Sequence, residues 1–373
     1  MADMGEIVRA EADQFLRTHR VTREQRTALA FMGRCRTEAM GLLGEPLCER
    51  CGEKYPVFRS CRNRNCPGCQ AEARAAWLAA REQELLDVPY FHVVFTVPEE
   101  LNVIALWCPQ VFYAALLQAA GRTLQEVGWS KLRARLGVLA ILHTWGQNLW
   151  LHPHAHCVVP GGGFSDDGKR WISVPNPEYL LPVKVLRRRF RTLLCRLLRG
   201  AARRGQLHRL PVEVSAEQVI ATAAGKEWVV YAKAPFGGPE QVLEYLSQYT
   251  HRVAISNSRI LAYENHEVTF RWRDYADSNR VKQSTIAAEE FLRRFLLHVL
   301  PRGFVRIRYF GFFANRHRAE NIKHARELIG HRELLHFRER VRMPRLCPAC
   351  RASAATVATD PADLRSPPKI IAA

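Results

Sequence analysis

The chain has 373 residues, 47% of them apolar, which is enough to bury the cores of two domains. Its 55 lysines and arginines exceed its 36 aspartates and glutamates, and the formal net charge of +19 indicates a polyanionic partner, nucleic acid rather than a membrane. The sequence contains no eighteen-residue apolar run and no signal-peptide pattern at its start. We therefore expect a cytoplasmic protein whose eleven cysteines are reduced and serve as metal ligands, not as a disulfide framework.

Helical and strand-like segments alternate along the chain, which predicts an α+β fold. Helical spacing is found at 1–45, 71–86, 99–136, a basic stretch from 182, 240–252 and 286–300. Strands are predicted at 90–98, 137–145, 152–160 and about 227–232, with a hairpin across 255–275 that turns at 264–266. After about residue 320 the chain is basic and polar, and we expect a loose tail.

Two CxxC pairs, Cys48/Cys51 and Cys66/Cys69, are separated by fourteen residues. Each pair can supply two thiolates to a tetrahedral ion, so the spacing predicts one structural Zn²⁺ held by these four cysteines.

Three further cysteine features stay outside that predicted site. Cys61 is a spare thiol or an alternate ligand, and Cys35 lies too far from a pair to be assigned. The C-terminal pair Cys347/Cys350 is either an idle surface pair or a half-site completed from elsewhere.

Alternating histidines mark the predicted strand 152–160. His152, His154 and His156 project to one face because a strand has a period of two. This pattern predicts a divalent metal site, for which imidazole nitrogen suits Mn²⁺ better than Mg²⁺. The third protein ligand is open: Gln147 is favoured, with His143 and His92 as alternatives.

The predicted helix 240–252 carries Tyr245 and Tyr249 four residues apart, hence on one face. Such a pair is more often a packing stripe than a pair of nucleophiles. A phenol with a pKa near 10 becomes an effective nucleophile when a metal polarises the phosphodiester that it attacks.

Arginines are concentrated at two places where they could neutralise phosphates. Arg62 and Arg64 lie on the expected rim of the cysteine module, and Arg187, Arg188 and Arg189 lie in the basic helix. Either set could equally be a solvated cationic face.

Taken together, these motifs resemble the rolling-circle insertion-sequence transposases of the two-tyrosine HUH type, bacterial relatives of Helitron enzymes. The matching text extends over almost the whole chain: the segments 60–70, 90–98, 142–163, 236–260 and 295–318. One departure is Asn65, where the family has histidine, so any ligand role for that position is absent here.

The resemblance implies an HUH endonuclease core, an antiparallel sheet flanked by helices, preceded by a helical and zinc-ribbon-like module. It assigns a Mg²⁺ or Mn²⁺ ion to His154 and His156, with His152 accessory, and nucleophilic roles to Tyr245 and Tyr249. The implied activity is cleavage and rejoining of single-stranded DNA, at transposon ends and target, through a 5′-phosphotyrosine.

The expected domain boundaries follow from the same motifs. Residues 1–86 would form the helical lead-in, zinc module and connecting helix, 87–318 the catalytic domain, and 319–373 a basic tail with a CxxC pair. No GxxxxGK[ST] motif is present, so strand separation would come from host replication or unwinding proteins or from supercoiling.

Two alternative functions remain from the sequence. A rolling-circle replication initiator or relaxase would use the same core, and an inactive zinc-containing DNA-binding protein would keep the module without the chemistry.

Overall fold

The structure is a computed structural model that describes residues 2–233, 254–275, 277–330, 345–347, 349–350 and 353–354. Within these ranges the α-helices are α1 (Met4–Thr18), α2 (Arg23–Arg34), α3 (Gln70–Glu82), α4 (Asn102–Trp107), α5 (Pro109–Leu132), α6 (Val183–Arg203), α7 (Ala216–Gly225), α8 (Ala288–Leu296) and α9 (Arg318–Ile329). None of the described helices is long and apolar enough to cross a bilayer.

The strands of the same ranges form several antiparallel sheets. They are β1 (Leu42–Gly44), β2 (Val57–Phe58), β3 (Tyr90–Thr96), β4 (Arg135–Leu136), β5 (Val138–Trp145), β6 (Leu151–Pro160), β7 (Gly162–Phe164), β8 (Trp171–Ser173), β9 (Val229–Lys233), β10 (Ile260–Glu264), β11 (Glu267–Asp274), β12 (Arg280–Ala287), β13 (Ile307–Phe310), β14 (Arg345–Leu346) and β15 (Ser353–Ala354).

The main sheet has the order β13-β5-β6-β3-β9, and every neighbouring pair is antiparallel. The histidine-bearing strand β6 is therefore central, with a hydrogen-bonded strand on each side. Burial on both sides explains the dense β-branched and aromatic composition of β3 and β5. This sheet with flanking helices is the α+β, HUH-type core expected from the sequence.

The two faces of the main sheet are covered differently because successive residues of β6 point to opposite sides. Ala155, Cys157 and Val159 pack into the largest core cluster, together with residues of α5, α6 and α7. On the other face, Val158 packs with Phe313 and residues of α3 and α9. The histidines of β6 share the face of Val158.

A second core ties the N-terminal helices to the three-stranded sheet β10-β11-β12. Buried residues of α1, α2 and α8 meet Val268 and Phe270 of that sheet, and Leu149 from the β5–β6 turn joins them. The N-terminal module therefore packs against the end of the hairpin that carries the histidines.

Several predicted bounds needed correction. The segment 99–136 is split into α4 and α5 at Cys108, because Pro109 cannot continue the ladder of a preceding helix and instead begins a new one. The helix expected at 286–300 is shorter because β12 extends to Ala287. Residues after 318 do not all form a tail, because Ile322 and Ala325 of α9 are buried in the core cluster that contains Val158 and Phe313.

Candidate metal centres

Three histidines from two adjacent strands converge on one face of the main sheet. β5 supplies His143 and β6 supplies His154 and His156, and His143 pairs directly with His154 in the strand register. One ring nitrogen from each lies within 4.8 Å of the others, which groups the three as candidate ligands of a single metal ion. We call these three residues the histidine cluster.

Hydrogen bonds on the far side of the rings orient two members of the cluster. His154 Nδ1 lies 2.6 Å from the carbonyl oxygen of His152, so Nδ1–H donates to that carbonyl and Nε2 is left for a metal. His156 Nδ1 lies 2.8 Å from His92 Nε2 on β3. If His156 binds a metal through Nε2, its Nδ1 carries the hydrogen and donates it to His92 Nε2. His92 would then orient the ring of this metal ligand.

Burial keeps these imidazoles uncharged at neutral pH. Desolvation lowers the pKa of His154 to about 3 and that of His92 to about 4, where Lys233 lowers it further by charge repulsion. Desolvation and the neighbouring imidazoles also hold the pKa of His156 well below its usual value. Neutral imidazole is the form that binds metals.

The geometry favours His143 over Gln147 as the third protein ligand. The side-chain amide of Gln147 instead donates a hydrogen bond of 3.0 Å to the Tyr275 hydroxyl. His152 lies on the same face, but it is exposed and outside the group whose ligand atoms converge. Its backbone carbonyl is the group that contacts His154 Nδ1.

The cysteines form two clusters, and the single site predicted from Cys48, Cys51, Cys66 and Cys69 is not formed. The first cysteine cluster contains Cys35, Cys61, Cys66 and Cys69, and the second contains Cys48, Cys51, Cys347 and Cys350. The sequence prediction failed because it joined the two CxxC pairs to each other. In the fold, Cys35 and Cys61 complete the pair Cys66/Cys69, and the distant Cys347 and Cys350 complete the pair Cys48/Cys51.

The first cysteine cluster fits a tetrahedral zinc ion. The Sγ atoms of Cys35 and Cys61 lie 3.5 and 3.6 Å from that of Cys69. With Zn–S bonds of about 2.3 Å, tetrahedral geometry requires sulfur separations of about 3.8 Å. The backbone N–H of Cys61 donates to Cys35 Sγ at 3.4 Å, and that of Asn63 donates to Cys61 Sγ at 3.5 Å, as anionic thiolates require.

Three of the five predicted phosphate-binding arginines, Arg64, Arg187 and Arg189, make contacts within the protein. Arg64 is exposed, but its guanidinium donates to the carbonyls of Phe304, Leu300 and Pro301 at 2.8–2.9 Å and so braces a loop. Arg62 is exposed next to the first cysteine cluster.

The basic helix α6 packs on the face of the sheet opposite the histidines. Arg187 pairs with Glu227 and Arg189 with Glu126, whereas Arg188 is exposed. The structure therefore does not bring these three arginines to the histidine cluster.

Tyr245 and Tyr249 lie outside the described residues. The described range before these tyrosines ends at Lys233, the last residue of β9, which pairs with His92 of β3 and so shares the histidine face.

The sequence analysis named His143, Cys61 and the pair Cys347/Cys350 only as alternatives, and it left Cys35 unassigned. The signal for His143 was present, because a tight hairpin between two strands places residues equally distant from its turn opposite each other. The sequence could not fix the register, and the bulge between His143 and Trp145 shifts it.

The fold and the histidine cluster define an HUH-type core joined to a cysteine-rich N-terminal module. Comparison with known families agrees with this division. A model described as "Putative transposase" matches residues 137–321, and one described as "Transposase zinc-binding domain" matches residues 7–97.

Two relatives give the family directly. The "Putative transposase y4qJ" of Sinorhizobium fredii is 47% identical over 335 residues, covering 86% of this chain and 84% of the relative. The "Transposase for insertion sequence element IS801" of Pseudomonas savastanoi pv. phaseolicola is 31% identical over 274 residues, covering 70% and 63% respectively. The chain therefore belongs to this family of insertion-sequence transposases with an N-terminal zinc-binding domain.

Solved structures with partial similarity are those of the conjugative relaxase TrwC in complex with oriT DNA. Its metal-bound structure has 14% identity and a TM-score of 0.24, covering 44% of this chain and 71% of that chain. Its metal-free structure has 15% identity and a TM-score of 0.22, covering 43% and 71%.

Proposed function

We propose that this transposase cleaves and rejoins single-stranded DNA at the ends of its element and at the target, with Tyr245 and Tyr249 as nucleophiles and a divalent metal on His143, His154 and His156. The observation that carries the proposal is the convergence of three imidazoles, two buried and one half-buried, on one face of the central strands.

The metal fits the donors present. Three imidazole nitrogens suit Mn²⁺ better than Mg²⁺, which prefers oxygen ligands. When bound, the ion would withdraw electron density from the scissile phosphate and stabilise the leaving oxygen. His92 and the His152 carbonyl would hold two of the ligand rings in place.

Each cleavage exchanges one phosphate ester for another. The tyrosine hydroxyl loses its proton, its oxygen bonds to phosphorus, and the bond from phosphorus to the 3′ oxygen breaks. The 3′ oxygen takes up a proton and leaves as a free 3′-OH, while the 5′-phosphate stays on the tyrosine. The second tyrosine can hold the other strand end, and attack by a 3′-OH on either phosphotyrosine reseals DNA.

The position of β9 supports the reach of the tyrosines. Tyr245 follows Lys233 by twelve residues, 245 minus 233, and Lys233 lies beside His92. A segment of that length spans up to about 40 Å when extended and about 18 Å as a helix. The chain is therefore long enough to bring both hydroxyls to the histidine cluster.

We further propose that the first cysteine cluster holds the zinc of the zinc-binding domain, because all four of its cysteines lie within the matched residues 7–97. Host replication or unwinding proteins would supply the single strands.

The test is formation of a covalent adduct on a single-stranded oligonucleotide from the element's end, with Mn²⁺ or Mg²⁺. A label on the 3′ end of the oligonucleotide should migrate with the protein in denaturing gels. A label on the 5′ end should appear on a free fragment that a polymerase can extend. Attachment of the 5′ label instead would overturn the proposed polarity.

Variants separate the roles. Tyr245→Phe with Tyr249→Phe should abolish the adduct while folding persists, because the substitution removes the nucleophile and keeps the ring. His143→Ala should abolish cleavage without loss of DNA binding, whereas His152→Ala, on the same face but outside the cluster, is the matched control. Undiminished cleavage by His143→Ala would contradict the metal assignment.

A further inference from the structure

We infer that the second cysteine cluster is a second zinc site, built half from the N-terminal module and half from the C-terminal CxxC pair, and that it fastens the two ends of the chain together. The matched zinc-binding domain ends at residue 97 and so contains only two of the four ligands. This inference is independent of the proposed DNA chemistry.

The sulfur geometry supports a four-thiolate site. Cys48 Sγ lies 3.6 Å from Cys350 Sγ, and Cys51 Sγ lies 3.7 Å from Cys347 Sγ. These values are close to the separation of about 3.8 Å that tetrahedral zinc requires. All four sulfur atoms lie within 4.8 Å of one another, so the four cysteines form one group of candidate ligands.

Each half of the site is a CxxC turn carried by a pair of short extended segments. In the N-terminal half, a bridge between Leu47 and Lys54 closes the turn, and the Cys48 N–H donates to the Glu53 carbonyl at 2.9 Å. Gly52 adopts φ +73°, a conformation that other residues rarely take, and its N–H donates to the Cys48 carbonyl.

The C-terminal half repeats this design. The strands β14 and β15 pair on either side of Cys347 and Cys350, with Leu346 opposite Ser353. Two hairpin-borne CxxC turns facing each other form the ligand arrangement of a zinc ribbon, with each turn supplying two thiolates.

Burial argues against idle thiols. Cys48 and Cys347 are 1% and 0% exposed, and they pack with Tyr55 and Val57 in a small cluster of their own. Among the described residues that cluster contains few apolar side chains, so their burial alone gives the two segments little free energy of association. A shared metal ion supplies the missing free energy, because binding to a site formed only in the folded state stabilises that state.

The first test is metal stoichiometry of the full chain, purified without chelator and measured by elemental analysis. We expect about two zinc ions per chain, and about one in both Cys347→Ser/Cys350→Ser and Cys48→Ser/Cys51→Ser. Cys195→Ala, which removes a buried thiol outside both clusters, should retain both ions. One zinc in the unmodified chain, or two in either double variant, would overturn the inference.

The second test does not depend on how well the variants fold. A protease recognition sequence inserted between residues 330 and 345 allows the chain to be cut after purification. The C-terminal fragment should then co-elute with the body of the protein and be released by a chelator. Release without chelator, or retention with the zinc removed, would show that the segments are not joined by metal.

Discussion

At the level of single residues, the histidine cluster separates ligands from the groups that orient them. His143, His154 and His156 offer ring nitrogens to one site, whereas His92 hydrogen-bonds to the far side of the His156 ring. This division predicts that substitution of an orienting residue lowers the metal affinity less than substitution of a ligand does.

We therefore expect His92→Ala to weaken Mn²⁺ binding by about 10–100-fold and His143→Ala to weaken it more, while His152→Ala has little effect. Isothermal titration with Mn²⁺ on the zinc-loaded protein measures all three. Equal affinities for the His92 and His152 variants would mean that the contact between His92 and His156 does not orient a ligand.

A second prediction concerns His298, which is buried apart from the ligands. Its ring accepts a hydrogen bond from the Thr144 hydroxyl at 3.1 Å and donates to the Leu149 carbonyl at 3.0 Å. Burial lowers its pKa to about 4, although the bond to Leu149 opposes the shift. In the unfolded chain this imidazole titrates near 6.5.

Between pH 6.5 and about 4, the unfolded state binds a proton that the folded state excludes, so stability falls as the pH is lowered through this window. The slope from this one group is at most about 1.4 kcal/mol per pH unit. Denaturant unfolding should show a shallower pH dependence for His298→Gln than for the unmodified chain. His317→Gln, an exposed position, should leave the dependence unchanged.

At the level of elements, α1 is fixed to the β10–β11 hairpin through one carboxylate. Glu11 accepts hydrogen bonds from the Tyr263 hydroxyl and from His266, the latter at 2.6 Å. Burial raises the pKa of Glu11, but these hydrogen bonds outweigh it and leave the pKa lowered. The carboxylate therefore stays charged and bonded at neutral pH.

Tyr263→Phe should destabilise the fold by about 1–3 kcal/mol, since it removes a hydrogen bond to a largely buried charge. Thermal unfolding measures the effect, and Tyr179→Phe at an exposed position provides the control. A loss no larger than that of the control would show that α1 is held by its apolar contacts alone.

The elements of the main sheet could be predicted because their signals are local. β3, β5 and β6 fall within one to two residues of the strands read from the β-branched runs, and the β10–β11 turn lies at Asn265 and His266 as expected. β12 and β13 were missed because their patterns are polar or mixed. The cysteine pairing could not be predicted, because it depends on contacts about 300 residues apart in the chain.

At the level of the whole molecule, the charge of +19 bears on how DNA is held. Arg64, Arg187 and Arg189 make contacts within the protein, so under the proposed function other cations would supply part of the phosphate binding. Their identity does not alter the expected salt dependence, because counterion release follows from the number of phosphates neutralised.

We expect affinity for single-stranded DNA to fall by orders of magnitude between about 50 and 200 mM salt, and to exceed that for duplex at each concentration. Fluorescence anisotropy with labelled strands tests both parts. Arg188→Ala should reduce the salt slope by at most about one, whereas Arg64→Ala should lower the melting temperature instead. A loss of affinity without loss of stability in Arg64→Ala would restore its predicted role at the phosphates.

The separation of the second cysteine cluster along the chain also governs when it can assemble during synthesis. Cys48 precedes Cys350 by 302 residues, and at about 5–20 residues per second the ribosome needs roughly 15–60 s to cover that distance. During this interval Cys48 and Cys51 have been synthesised but Cys347 and Cys350 have not, whereas all four cysteines of the first cysteine cluster are already present. The second cysteine cluster would therefore bind its zinc ion last. A nascent chain that stops before Cys347 would contain only two of the four ligands of this site.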